Sequence, residues 1–174
     1  MKKFVYGLLL GIGFILTACA NSPFEQGMKY YNQKDYAQAF PLLEIAANQE
    51  NAAAQYTLGK MYENGLGIDT NHTQAKELFE KAAAQGNAQA QFNLALMYID
   101  GQWVVKDYAQ AAKLLEASAA QGFVYAQNVL GFMHENGMGF VPDYAKAKHY
   151  YTLACNAELE NACDSLDRLK AKGH

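Results

Sequence analysis

From residue 24 onward, apolar side chains recur three and four residues apart, and nowhere do they alternate with polar ones over a strand length. Leu58, Met61 and Tyr62 fall at i, i+3 and i+4, which sets them on one face of a helix. Alanine at every fourth or so position lets helix backbones approach closely. Gly65 and Gly67 supply the positive φ that ends such a helix, and Asn71, Asp107 and Asp143 stand where the next helix needs a polar cap. The pattern predicts nine helices and no sheet.

The helical pattern repeats with a period of 36 residues. Ala54-Gln55-Tyr56-Thr57-Leu58-Gly59 returns as Ala90-Gln91-Phe92-Asn93-Leu94-Ala95 and again as Ala126-Gln127-Asn128-Val129-Leu130-Gly131. The second half of each unit repeats equally well: Ala75, Ala111 and Ala147 precede Leu78-Phe79, Leu114-Leu115 and Tyr150-Tyr151. No single helix pair can cover its own apolar face, so neighbouring pairs must stack and share a continuous seam.

Residues 54 to 86 closely resemble the Sel1-like repeat, a relative of the tetratricopeptide repeat, in the pattern A-x-x-x-L-G-x-M-Y-x-x-G-x-G, a polar turn, then K-A-x-x-x-x-x-K-A-A-x-Q-G. The resemblance implies an all-α fold, a right-handed α/α solenoid of about four helix-pair repeats with a C-terminal capping helix. Residues 24–51 look like a leading pair closer to the tetratricopeptide form, with Gly27 and Ala39 closer together than Gly59 and Ala75. Three units of 36 residues fill 52–160, and 161–174 forms the cap and tail.

The amino terminus reads as an address. Lys2 and Lys3 precede an apolar run from Phe4 to Leu16, too short for a bilayer core that needs roughly 20 helical residues. Leu16-Thr17-Ala18-Cys19 resembles a bacterial lipobox, so residues 1–18 are expected to be a lipoprotein signal peptide. By that resemblance Cys19 becomes the lipidated first residue, and residues 19–23 a short tether to the membrane. Ala20 stands where an Asp would suggest inner-membrane retention, so the resemblance favours the outer membrane, with the domain in the periplasm or at the cell surface. Acyl chains contribute about 0.8 kcal/mol per buried CH₂, enough in number for a lasting anchor.

Composition narrows the function classes. Charged residues make up only 18% of 174, which excludes a disordered acidic tail, and 14 Lys+Arg against 17 Asp+Glu provide no basic field for nucleic acid. Beside Cys19 there are two cysteines. Cys163 lies 36 residues after Gln127, at the start of a further first helix, while Cys155 occupies the position of Ala83 and Ala119. Eight residues apart in one straight helix they would be about 12 Å distant, too far to bond, but across a helical hairpin they can meet. The cysteine-rich branch of the Sel1-like family has this spacing, and an exported chain meets oxidising conditions, so a Cys155 to Cys163 disulfide is expected. Redox catalysis is not, since C-x-x-C spacing is missing.

No catalytic constellation stands out. Some cysteine-rich relatives carry a β-lactamase label, which leaves a weak hydrolase of β-lactam or cell-wall substrates as the alternative reading. Yet no Ser stands three residues before a Lys, and no two histidines are spaced as metal ligands on a helix. His134 holds the position of Tyr62 and Tyr98 and reads as a packed repeat residue. No cofactor, metal or nucleic-acid partner is expected.

The repeats do offer a stripe on the first helix of each unit, opposite the core face: Tyr56, Lys60 and Glu63, then Phe92, Leu96 and Ile99, then Asn128, Phe132 and Glu135. Phe24, Met28 and Tyr31 extend it at one end, with Tyr125 near the other. Either these residues form an exposed groove for a protein or peptide of the cell envelope, or they pack on the preceding second helix. Trp103, at the loop position of Gly67 and Gly139, is either a loop anchor or an exposed contact. A membrane-tethered interaction module is the expected function.

Overall fold

The structure is a computed structural model and describes residues 22–173. The expected signal peptide and the Cys19 lipid site lie outside the described residues. Among the described residues there are nine α-helices and no strand: α1 (Pro23–Asn32), α2 (Tyr36–Asn48), α3 (Ala52–Asn64), α4 (His72–Ala84), α5 (Ala88–Asp100), α6 (Tyr108–Ala120), α7 (Val124–Asn136), α8 (Tyr144–Asn156) and α9 (Glu160–Ala171). The principal helix contacts all run between helices consecutive in the chain, the one-dimensional connectivity of a solenoid. Odd-numbered helices are the first of each pair, even-numbered the second. The loop from α1 to α2 is shorter than the corresponding loops from α3, α5 and α7.

Local chemistry sets the boundaries. Asn71, Asp107 and Asp143 each accept a hydrogen bond from the backbone N–H three residues on, capping α4, α6 and α8. Asn51 and Asn87 do the same for α3 and α5. At the third occurrence of that position stands Phe123, and α7 has no side-chain cap. The helices α3, α5 and α7 end at Gly65, Gly101 and Gly137 in the left-handed conformation.

Each pair closes through a matched notch. A Cβ on Gly59 would lie 2.7 Å from the Phe79 ring, and one on Gly131 2.6 Å from the Tyr151 ring. In the middle unit the notch residue is Ala95 and the side chain across from it in the repeat is the smaller Leu115. Phe79, Tyr151 and Leu115 are essentially inaccessible to solvent, so each contributes about 1.5–3 kcal/mol of burial. The corresponding position in α9 is Asp167, which offers no notch.

A polar seam joins one pair to the next. The Nε2 atoms of buried Gln55, Gln91 and Gln127 donate to the carbonyls of Ala47, Ala83 and Ala119, each eight residues back, at 3.2–3.3 Å. Gln85 and Gln121 in turn donate to the Oε1 atoms of Gln55 and Gln91. At the fourth occurrence of this pair of positions stand Cys155 and Cys163, joined as a disulfide with Cα atoms 4.7 Å apart across the turn between α8 and α9. A covalent bond thus takes the place of the amide bond at the last of these turns between pairs.

Candidate interaction surface

The stripe on the odd-numbered helices divides into covered and open parts. Phe24, Met28 and Tyr31 are half-buried against the cluster built on Ala39, Leu43 and Leu58. The Met28 sulfur accepts a hydrogen bond from the Thr57 hydroxyl at 3.6 Å. Tyr56 leans on Phe79 at 5.8 Å between ring centroids. Phe92 and Ile99 pack on the cluster around Leu115 and Leu130. The cover therefore comes from the helices that follow, α4 for Tyr56 and the third unit for Phe92, which is neither the open groove nor the packing on the preceding second helix that the sequence offers as alternatives. Leu96 is half-buried and lines a cavity.

The open part lies one unit further on. Tyr125 is 56% exposed and Phe132 48%. Phe92, Phe123 and Tyr125 form a triangle with centroid separations of 5.2, 6.3 and 5.6 Å. Phe123 belongs to this platform because it replaces the cap asparagine, an exchange that costs α7 about 1 kcal/mol of capping. The middle unit, which the sequence makes the most apolar, is thus not the most exposed: its aromatic residue is shared with the platform of the third.

Glu135 does not face an open groove. It is buried, accepts hydrogen bonds from the Tyr151 hydroxyl and Arg168 at 2.9 Å, and pairs with Lys172 at 3.3 Å, so it fastens α9 to α7 and α8. Burial alone would raise its carboxyl pKa, but the Tyr151 and Lys172 hydrogen bonds and the charges of Arg168 and Lys172 hold it below the ordinary value. The same burial and contact raise Tyr151 far above a free phenol. Removing one partner from such a cluster would strand the buried carboxylate, so these contacts hold α9 in place.

Between α3 and α5 lies a cavity of about 370 Å³ walled by Lys60, Glu63, Asn93, Leu96, Asp100 and Trp103, among others. Trp103 is both of the alternatives its loop position offers: its ring stacks on His72 at 3.7 Å, and it remains 47% exposed. His134 is buried, with its ring stacked on Phe140 at 4.2 Å and its Nδ1 without a hydrogen-bond partner. Burial first, then the nearby Lys146, lowers its pKa against the opposing pull of Asp143 and Glu116. Among the described residues no group of three or more His, Cys, Asp or Glu side chains is placed to hold a metal ion. No helix among them is long and apolar enough to cross a membrane.

Solved structures share this architecture. A Sel1 repeat protein from Oxalobacter formigenes is 32% identical, with a TM-score of 0.80 over 84% of this chain and 58% of its own. A protective antigen of uropathogenic Escherichia coli with an SLR fold is 33% identical, with a TM-score of 0.83 over 87% of this chain and 33% of its own. The chain thus spans little more than half of the first and a third of the second. Cysteine rich protein B of Helicobacter pylori, 19% identical with a TM-score of 0.57 over 84% of this chain and 98% of its own, shares the fold. No curated protein shows a significant match. The family model for the Sel1 repeat matches four consecutive segments, 24–51, 52–87, 88–123 and 124–159, and the chain belongs to the Sel1 repeat family.

Proposed function

We propose that this protein is a lipid-tethered module of the bacterial cell envelope that holds a protein or peptide partner on the face formed by its odd-numbered helices. Sel1 repeats are in general protein–protein interaction modules and mostly non-catalytic scaffolds. The observation that carries the reading is the aromatic platform of Phe92, Phe123 and Tyr125, built at the expense of a helix cap, with Tyr125 and, two turns further along α7, Phe132 about half exposed. Aromatic side chains of this kind are the usual anchors of protein interfaces. The tether rests on the lipobox-like Leu16-Thr17-Ala18-Cys19, and the three residues Ala20 to Ser22 between Cys19 and α1 would keep the solenoid near the headgroups.

A photo-crosslinking residue at Tyr125 in the full-length protein tests the groove. A discrete adduct from envelope membranes, lost when Phe132→Glu is added, is expected. An adduct pattern indifferent to Phe132→Glu, or no adduct at all, would refute the groove. Labelled palmitate incorporated into the native chain but not into Cys19→Ser is expected for the tether, and equal incorporation by both would refute it.

A further inference from the structure

The cavity between α3 and α5 has a chemistry distinct from the platform beside it. Two carboxylates, Glu63 and Asp100, belong to its wall against one cation, Lys60, which is hydrogen-bonded to Glu63. Asp100 forms no ion pair among the described residues, so the recess carries one uncompensated negative charge. Trp103 completes the wall. It adopts a φ of 59° at a position where the neighbouring units have Gly67 at 72° and Gly139 at 83°. One face of its indole is covered by His72, and among the described residues no other ring or cation lies on it. A half-exposed indole beside an unpaired carboxylate matches a cationic side chain, which gains from both the ring quadrupole and the charge.

Resting on the interaction-module reading above, we propose that this cavity takes an arginine or lysine side chain of the partner peptide between Asp100 and Trp103, on the complementarity of its charge to the recess. The partner segment would then run from this basic residue, past Leu96 in the cavity wall, toward the aromatic platform, so it pairs a cation with apolar neighbours.

Trp103 is the single tryptophan of the chain, so its fluorescence reports on this cavity alone. Full-length protein is titrated with the capped hexapeptide Leu-Ala-Ala-Arg-Ala-Ala, with its citrulline analogue, which keeps shape but loses charge, and with spermidine. Saturable quenching by the arginine peptide is expected, with at least tenfold weaker binding of the citrulline analogue. Asp100→Asn should weaken the arginine peptide at least fivefold while leaving the helical circular dichroism unchanged. Equal binding of the citrulline analogue, binding of spermidine as tight as the peptide, or no saturable change with any probe would overturn the assignment. Crosslinking through Tyr125 is independent of Asp100, so its persistence alongside such a result would leave the interaction module standing and remove only this occupant.

Discussion

Replacing Cys155 by Ala and Cys163 by Gln would write into the turn between α8 and α9 the pair of residues that Ala83 and Gln91, or Ala119 and Gln127, supply to the earlier turns between pairs. The disulfide spans eight positions, and closing so short a loop removes about 2.5 kcal/mol of chain entropy from the unfolded state. The restored amide bond from Gln to the residue 155 carbonyl returns about 1 kcal/mol. The Ala/Gln variant should therefore lie about 1.5 kcal/mol below the native protein, and an Ala/Ala variant about 2.5 kcal/mol below. With a urea dependence of about 1–3 kcal/mol/M, those losses move the midpoint by roughly 0.5–2.5 M. Since the repeats interact only with their neighbours, the effect should be concentrated at the chain end, and hydrogen exchange of the α9 amides should accelerate before that of α3 to α6. Urea unfolding and exchange of the three proteins, with the native chain also measured under reductant, provide the comparison. Coincident midpoints for native and Ala/Ala proteins would show that the cross-link contributes nothing. An Ala/Gln variant no better than Ala/Ala would show that the turn between α8 and α9 does not share the geometry of the other three.

Three further outcomes are expected. Gly131→Ala forces a methyl to within 2.6 Å of a Tyr151 ring that is buried and tied to Glu135, so it should cost about 1–3 kcal/mol in thermal unfolding; no change in Tm would refute the notch. His134 has a depressed pKa in the fold, so it contributes stability that is complete above about pH 6.5 and lost as pH falls toward its folded value. Glu135 is also depressed, but its loss begins only below the ordinary carboxylate range, so comparing Tm at pH 7.5 and 5.5 isolates the histidine. His134→Tyr, the residue of the first two full units, should flatten that difference, and an unchanged slope would count against the assignment. Phe123→Asn should restore a cap worth about 1 kcal/mol while removing one ring of the platform, leaving stability roughly unchanged and reducing crosslinking through Tyr125; a large loss of stability would show that Phe123 serves the core instead.

The architecture was legible because its cues are local and repeated. Gly65, Asn71, Asp107 and Asp143 act through their own backbone neighbourhood, and the structure places each at the helix end that its chemistry predicts. The interaction surface was less so, because exposure depends on residues a whole unit away. Nothing near Phe92 in the sequence says that Phe123 will cover it, although the loss of Asn at the position of Asn51 and Asn87 was a visible sign. The sequence pattern puts Glu135 on the stripe, and only the arrival of Arg168 from α9 and Lys172 at its C-terminal cap makes it a buried anchor. The glutamine seam shows the same limit. The alignment of Cys163 with Gln127 is present in the sequence, but the bond that the cysteine replaces ends on a carbonyl, which no side-chain pattern records.

The notches carry a consequence for how such a chain can be lengthened or shuffled. Gly59 fits Phe79, Ala95 stands across from Leu115, and Gly131 fits Tyr151, each lock and key sitting within one hairpin. A recombination that cuts inside a hairpin mates the alanine of one with the ring of another, or leaves a glycine facing a leucine and a void. Cuts in the short turns near residues 50, 86 and 122 keep every lock with its own key. Intact hairpins are therefore the unit that duplication and engineering can move, and completing α9 into a further hairpin with a second helix would first require Asp167 to become small.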